Sequence, residues 1–381
     1  MPFFFFTFLA LLLHTYIGYP FILKLISIFS KRSKTNSSYH PAVSLVIPVY
    51  NEGVVIKRKI ENSLLLNYPE EKVEIIIASD GSSDDTKNVV EQYSKKGVKF
   101  FEFSRGGKLA TINRVLPKTK GDIIVLTDAN AMFAEDALQK LASRFVDESV
   151  GVVTGVEKIT AQSDYISRNE QSYWSYETKL KELESKIYST IGANGPIYAI
   201  RRELFPSIPS HLNLCDDMTI SLSVVQKGKR IILEPKAVAF EDTSLTLKEE
   251  WRRKVRISTR AWQALFYHKN LLNPFTSPVA LPLIFHKIFR WSTVPLMGVL
   301  FISNLFIEGS FYTIFLGGQI LLHTLSIVGI VLLWRGLKLP SMFTFMSYFL
   351  FTNCAQVVGL YNSLFNKGKP SWQPIERANK K

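Results

Sequence analysis

Cysteine is almost missing from this sequence of 381 residues, which has two, Cys215 and Cys354. They lie far apart, the second within an apolar run, so a disulfide framework has no support and a reducing compartment fits. A chain this long can bury a sufficient core without crosslinks, and has room for more than one domain. Internal repeats and low-complexity tracts are absent too, apart from the phenylalanines after Met1-Pro2, which lipid contact accounts for. Acidic residues are the scarcer charge, 32 Asp and Glu against 46 Lys and Arg, for a net charge of +14. No recognisable nucleic-acid module accompanies that excess, so nucleic acid is not expected as a partner.

Charge is missing altogether from four stretches, Met1 to Leu23, Trp291 to Ile307, Gly309 to Trp334 and Leu339 to Asn366. Each is long enough, or nearly so, to cross a bilayer, and membrane spans are expected there. The first has no basic leader and no small-residue cleavage site, so it reads as a retained anchor rather than a signal peptide. Basic residues beside spans stay on the cytoplasmic side, which places Lys31 to about Pro274 inside the cell, at the plasma membrane. His286-Lys287-Ile288-Phe289-Arg290-Trp291 interrupts the apolar stretch after Pro278, so Pro278 to Arg290 is expected as an amphipathic surface helix. Four spans would put the tail, Lys367 to Lys381, outside, against its five basic residues. Either Pro278 to Arg290 crosses or re-enters, or one later stretch does not cross, and a cytoplasmic C-terminus is expected.

The expected organisation is an anchor over 1–30, a cytoplasmic domain over 31–245, interfacial helices over 246–290, spans over 291–366 and a basic tail over 367–381. Within the cytoplasmic part, short apolar runs alternate with amphipathic stretches as in βαβ units. Strands are expected at Val43 to Val49, Val73 to Ala78, Val98 to Phe103, Ile123 to Leu126 and Val150 to Val156. Helices fit at Val54 to Leu66, Thr86 to Lys95, Lys108 to Leu116, Glu135 to Phe145, Tyr165 to Leu183 and Met218 to Lys227. Nearly continuous Val/Ile/Leu strands imply an α/β fold, a mostly parallel sheet with helices on both faces.

Ligands of open α/β sheets sit beyond the carboxyl ends of the strands. Three of those ends are polar: Pro48-Val49-Tyr50-Asn51-Glu52, Ser79-Asp80-Gly81-Ser82-Ser83-Asp84 and Thr127-Asp128-Ala129-Asn130. Taken singly, the aspartates could be turn residues or helix caps. Two carboxylates on neighbouring strand ends also suit a divalent metal or a nucleotide.

VSLVIPVYNE, ASDGSSDDT, GGKLATIN and LTDANAMF together resemble the donor half of glycosyltransferase family two. The resemblance spans about Pro41 to Leu265 and implies a GT-A nucleotide-sugar-binding domain. It assigns donor contacts to Pro48, Tyr50, Glu52, Asp80, Lys108, Asp128 and Asn130, with Asp80 on the base and Asp128 on the ribose and on Mg²⁺ or Mn²⁺. The family's second metal-motif aspartate is Asn130 here, an amide that offers an oxygen without charge. Gly192 to Arg201 resembles the acceptor-side loop, with Asn194 and Gly195 as acceptor residues, although a plain turn uses the same glycines. Leu214-Cys215-Asp216-Asp217 precedes a helix; either acid could be its N-cap, and the resemblance makes Asp217 the catalytic base with Asp216 beside it.

Trp251 to Ile257 lies where processive members carry Gln-x-x-Arg-Trp. Arg253 and Arg256 share one helix face and suit phosphate oxygens, although a basic, lipid-facing helix anchored by Trp251 and Trp262 would read the same. Ile257 replaces the motif tryptophan. Trp372-Gln373-Pro374 resembles a late cytoplasmic motif. The resemblance implies an inverting membrane transferase acting from a nucleotide-sugar donor on a glycan or lipid-linked acceptor, in cell-surface polysaccharide or glycolipid synthesis. Alternatives are a processive synthase that extrudes its polymer and a non-catalytic nucleotide-binding scaffold.

Overall fold

The computed structural model describes the chain apart from residues 31–32, 161–164, 210, 213, 242–245 and 366–381; residues 165–168 and 173 are described by backbone alone. Trp372-Gln373-Pro374 and the basic tail therefore lie outside the described residues. Eight strands form one sheet: β1 (Val43–Val49), β2 (Val73–Ser79), β3 (Lys99–Glu102), β4 (Ile123–Leu126), β5 (Met132–Phe133), β6 (Val150–Ile159), β7 (Tyr198–Arg201) and β8 (Arg230–Glu241), in the order β3-β2-β1-β4-β7-β6-β8-β5. The pairs β3–β2, β2–β1, β1–β4 and β6–β8 are parallel, while β7 runs antiparallel to both of its neighbours and β5 antiparallel to β8.

Successive strand residues point to opposite faces, and the core divides accordingly. Leu45, Ile47, Ile77 and Val125 face one layer, with Ile56 and Ile60 of helix Gly53–Leu64 and Leu138 and Leu141 of helix Ala137–Ala142. Val46, Ile76, Ile124 and Leu126 face the other, which holds Ile112 of helix Lys108–Val115 and Ile220 of helix Asp216–Gln226. That second layer also takes in Trp262 and Leu265 of helix Leu247–Tyr267, and Leu283 and Trp291 from the apolar C-terminal region. The sheet domain and the apolar C-terminal region thus share one core.

Strands β5, β7 and β8 were not expected. Strand β8 contains Pro235, which cannot donate to a ladder, and the sequence there reads as broken. In the structure the β6–β8 register shifts between Leu233 and Val238, and this irregularity accommodates the proline.

Among the described residues three helices are long and apolar enough to cross a membrane: Pro2–Ile28, Ser310–Trp334 and Ser341–Leu364. The stretch expected from Trp291 forms a helix of 12 residues, Thr293–Asn304, about 18 Å long at 1.5 Å per residue and short of a span by itself. It continues the helical segment Ala280–Phe289, however, and both lie against the first helix. Phe285 packs on His14 and Tyr19, and Tyr16 hydrogen-bonds Thr293 at 2.7 Å. At the far end Phe5 meets Tyr312 and Phe315.

Helix Ser341–Leu364 runs beside Leu247–Tyr267 in the same direction. The Tyr348 hydroxyl donates to Glu250 at 3.0 Å and the Ser258 hydroxyl to the side-chain Oε1 of Gln356 at 2.7 Å. Gly359 permits the approach, because a Cβ there would lie 2.2 Å from Ser258 Oγ.

A buried ionic cluster joins the halves. Helix Tyr165–Ile187 presents Glu177 to Arg290 and Lys287, each at 2.6 Å, and to His286 at 3.0 Å. Its Glu184 meets His286 at 2.7 Å and accepts from the Tyr19 hydroxyl at 2.8 Å. These contacts fix the first apolar helix and the segment after Ala280 to the sheet domain.

Candidate active site

Because β1 and β2 are parallel and in register, their carboxyl ends deliver Tyr50 and Asp80 side by side. The turns are tied together: Asn51, in the left-handed region at φ 52°, accepts from the Ser83 N–H at 2.8 Å. Pro48 sits within the buried β1, and the mostly buried Glu52 donates its own N–H to Thr86 Oγ1 at 3.0 Å. Asp80 is fully buried, and its carboxylate accepts from the N–H groups of Gly106 at 2.7 Å and Gly107 at 2.9 Å and from Arg105. The Arg105 guanidinium lies 3.4 Å above the Tyr50 ring. A planar group stacked on Tyr50 and donating to Asp80 has the contacts a nucleobase would make, and Arg105 occupies that place.

The turn after β4 rests on a fully buried lysine that the sequence reading missed. Lys59 Nζ donates to Thr127 Oγ1 at 3.0 Å and to the Ala131 carbonyl. Burial lowers its pKa to about 7 despite the opposing fields of Asp128 and Glu241. Asp128 stays partly exposed, its side chain 30% accessible, and meets Lys108 Nζ at 2.8 Å; the same ammonium lies 3.0 Å from Asp216. Burial opposes the Lys108 charge, but the two carboxylates outweigh it and raise its pKa. Lys108 therefore links the turn after β4 to the start of helix Asp216–Gln226. Asn130 Nδ2 donates to Glu241, which the sequence reading also missed. Among the described residues no three His, Cys, Asp or Glu side chains gather into a metal cage.

Asp216 and Asp217 open helix Asp216–Gln226, and its N-cap is Cys215 rather than either acid. Asp217 Oδ1 accepts from the Cys215 thiol at 2.9 Å and the Met218 N–H at 2.7 Å. Its Oδ2 faces Gly195, where a Cβ would stand 3.1 Å away. Burial, and then the charge of Asp216, raise the Asp217 pKa. Asn194 is buried and fully engaged: its N–H donates to Thr154 Oγ1 at 2.8 Å, its amide donates to the Gly155 carbonyl at 2.7 Å, and its Oδ1 accepts from Lys181 at 2.6 Å. Asn194 thus holds the loop that brings Gly195 to Asp217.

On helix Leu247–Tyr267 the structure corrects the expected arginine pair. Arg253 is tied to Glu170 and, at 3.0 Å, to Glu250, so its charge is already met. Arg256 and Arg260 lie on the same face, and neither pairs with a carboxylate among the described residues. Burial lowers the Arg256 pKa to about 10, with repulsion from Arg260 and Arg253 adding to it. The Nε of Arg260 is buried without a hydrogen-bond partner among the described residues. Trp262, expected as an interfacial anchor, is instead a core residue packed on Trp291, with ring centroids 5.0 Å apart.

Glu52, Lys108, Asp128, Asn130, Asn194, Gly195, Asp216, Asp217, Arg253, Arg256 and Arg260 line one cavity of about 610 Å³, whereas Tyr50, Asp80 and Lys59 do not. Asp128, Lys108 and Asp217 line it together with Tyr16, Trp291, Phe345 and Phe349. Its polar groups can bind a phosphorylated ligand and take a proton, and its aromatic groups come from the apolar helices.

Comparison with known proteins adds the following. The model of the family "Glycosyl transferase family 2" matches residues 44–208. A probable glycosyltransferase of Bacillus subtilis, YdaM, is 27% identical over 242 residues, 58% of this chain and 56% of that protein. The beta-monoglucosyldiacylglycerol synthase of Trichormus variabilis is 34% identical over 173 residues, 44% of this chain and 37% of that protein. The matches thus span about half the length of these curated relatives, or less. A mannosyltransferase from Pyrobaculum calidifontis, solved with GDP-Man and Mn²⁺, superposes with a TM-score of 0.73 at 20% identity, over 96% of this chain and 99% of that one, which is a likeness of fold.

Proposed function

We propose, from the premise that residues 44–208 make this chain a member of glycosyltransferase family 2, that it transfers a sugar from a nucleotide-sugar donor to a glycan or lipid-linked acceptor with inversion. The observation that carries this reading is a raised-pKa carboxylate, Asp217, in one cavity with Asp128 and the Lys108 ammonium between the two halves. The acceptor hydroxyl gives its proton to Asp217 as its oxygen bonds to the anomeric carbon. The bond from that carbon to the diphosphate breaks on the opposite face, and its electron pair leaves with the nucleoside diphosphate. Carboxylate bases poised above their ordinary pKa suit this task. Lys108 and Arg256 meet the charge that develops on the leaving group.

Mg²⁺ and similar ions use one or two carboxylates and complete their shell with substrate phosphates and water. Asp128, partly exposed on the cavity wall, fits that role, and the ion would neutralise the diphosphate. Asn130 is held by Glu241 and serves to shape the turn. The Mn²⁺ and GDP-Man of the Pyrobaculum structure support the same class of donor and metal, and the diacylglycerol-linked product of the Trichormus relative supports a cell-surface or lipid setting.

We place the sheet domain on the cytoplasmic side of the plasma membrane. Helix Ser341–Leu364 packs on the basic helix Leu247–Tyr267 from Tyr348 to Gly359, and we therefore lay it at the membrane surface rather than across it. Pro2–Ile28, Ala280–Asn304 and Ser310–Trp334 then cross, which leaves the basic tail inside. A reporter fused after Lys381 should be active in the cytoplasm; activity on the outer side alone would reject this arrangement.

Nucleoside diphosphate release by the reconstituted protein, across UDP-, GDP- and dTDP-sugars with Mg²⁺ or Mn²⁺, tests the transferase reading. Release with one donor, abolished in Asp217→Asn, supports it. Binding of nucleotide without release, in the presence of a membrane lipid extract, would favour a scaffold.

A further inference from the structure

The apolar wall of the cavity and the uncompensated arginines point to one class of acceptor. Tyr16, Trp291, Phe345 and Phe349 come from three helices of the membrane half, and they border the same cavity as Asp217. A wholly polar glycan would bury its hydroxyls against these side chains without partners, at a cost of roughly 1–3 kcal/mol for each lost hydrogen bond. A hydrocarbon chain bears no such cost there. At the helix position where a processive member has its sugar-stacking tryptophan, this chain has Ile257, also on the cavity wall.

Arg256 and Arg260 stand four residues apart on one face, an arrangement that repels unless an anion lies between or beside them. Arg256 feels the charge of Asp128 and so belongs with Lys108 on the diphosphate side, where a divalent ion held by Asp128 would add its charge. Arg260 lies one turn further along. Its carbonyl accepts from the Cys215 N–H at 3.3 Å, which sets it against the loop that carries Asp217. Its buried Nε has no hydrogen-bond partner among the described residues. Guanidinium groups so placed bind phosphate oxygens in a directed way.

Resting on the transferase reading, we infer that the acceptor is a membrane lipid whose hydroxyl-bearing head is joined to its hydrocarbon through a phosphate. The head reaches Asp217, Arg260 holds the phosphate, and the first part of the tail lies among Tyr16, Trp291, Phe345 and Phe349. The phosphate itself undergoes no bond change: the hydroxyl loses its proton to Asp217 and gains the sugar. Two sources carry this chemistry, a phosphoglycerol lipid and a sugar carried on a lipid phosphate.

The test uses the full chain in phosphatidylcholine vesicles with the donor that gives nucleoside diphosphate release. A membrane lipid extract is divided by anion exchange into neutral and anionic fractions, and each is offered with radiolabelled donor. Label in the organic phase with the anionic fraction alone is the expected result, and mild acid then separates the sources, because it releases a sugar held on a lipid phosphate and leaves a phosphoglycerol lipid intact. Label on water-soluble saccharides, or with the neutral fraction alone, overturns the inference and leaves the transferase reading standing. Arg260→Gln should raise the acceptor KM about ten- to a hundredfold, more than the donor KM, with partial rescue by Arg260→Lys. A rise in donor KM alone would move Arg260 to the diphosphate and overturn the assignment.

If no donor is turned over, the transferase reading fails and binding decides the lipid inference alone. A diazirine-tailed phosphatidylglycerol should label residues 341–353 about tenfold more than the matching diacylglycerol, and lose that preference in Arg260→Gln. Equal labelling by the two lipids overturns it.

Discussion

The sheet side and the helix side of the site are built in opposite ways. On the sheet side Tyr50, Asp80 and Asp128 each stand directly after a strand, and the strands themselves are buried, apolar and in parallel register, so a few consecutive residues place them. On the other side the wall is assembled from apolar helices that begin at Pro2, Ala280 and Ser341, and it is held by contacts between residues about a hundred or more positions apart, such as Glu177 with Arg290 and Glu250 with Tyr348. The first kind of site depends on local turn geometry. The second depends on buried charges and close helix packing, and it should fail by loss of assembly rather than by loss of chemistry.

Asp217→Asn gives the sharpest contrast, with turnover lowered about a hundred- to ten-thousandfold and nucleotide affinity retained. Diphosphate release and a nucleotide titration measure the two; loss of affinity would assign Asp217 to structure instead. Glu177→Gln should act the other way, removing the counter-charge of Arg290 and Lys287 and costing about 3–5 kcal/mol of stability. Denaturant unfolding in detergent reads this. The exposed pair Lys87–Glu102 is the control, since Glu102→Gln should shift stability by less than about 1 kcal/mol.

Helix docking is probed by Gly359→Ala, whose Cβ would collide with Ser258. A loss of about 1–3 kcal/mol is expected, and an unchanged melting curve would show that Ser341–Leu364 does not depend on this approach. Between the arginines, Arg256→Gln should raise the donor KM about tenfold, as for one charge-assisted hydrogen bond lost, whereas Arg253→Gln should act on stability through Glu170 and Glu250. Equal KM effects would erase the distinction drawn between them.

The smallest effect expected is on pH dependence. The base must be ionised, and burial with Asp216 raises the Asp217 pKa, so the rate should fall on acidification through a midpoint above the ordinary aspartate value of about 4. This acid limb should vanish from the residual activity of Asp217→Asn. A limb at the ordinary value would show that the cavity is open to water around this carboxylate.

Strands β1 and β4 and helix Lys108–Val115 were legible because their apolar runs and flanking turns are local. So were Asp80, Asp128 and Asp217, through short motifs beside those elements. The basic helix was legible as a helix but not in its roles. Its period puts residues 253, 256 and 260 on one face, and only the arrival of Glu170, from a helix 83 residues earlier, pairs Arg253 and leaves Arg256 and Arg260 without a carboxylate partner among the described residues. Lys59 gave no signal, since a lysine in an amphipathic helix reads as solvated; its burial under Thr127 needs two distant segments to meet. Strand β8 was hidden by Pro235, whose tolerance depends on the shifted pairing with β6.

The sequence by itself determined the α/β class, the carboxylates after the strands, the acidic pair before its helix and the apolar stretches, because each follows from neighbouring residues and from the periods of strand and helix. Tertiary structure alone decided which arginines lack a carboxylate partner among the described residues, which apolar helix packs on the basic one and that the apolar helices share a cavity with Asp217. Those features depend on which charges and surfaces are left unmatched after folding, and that is a property of residues far apart in the chain.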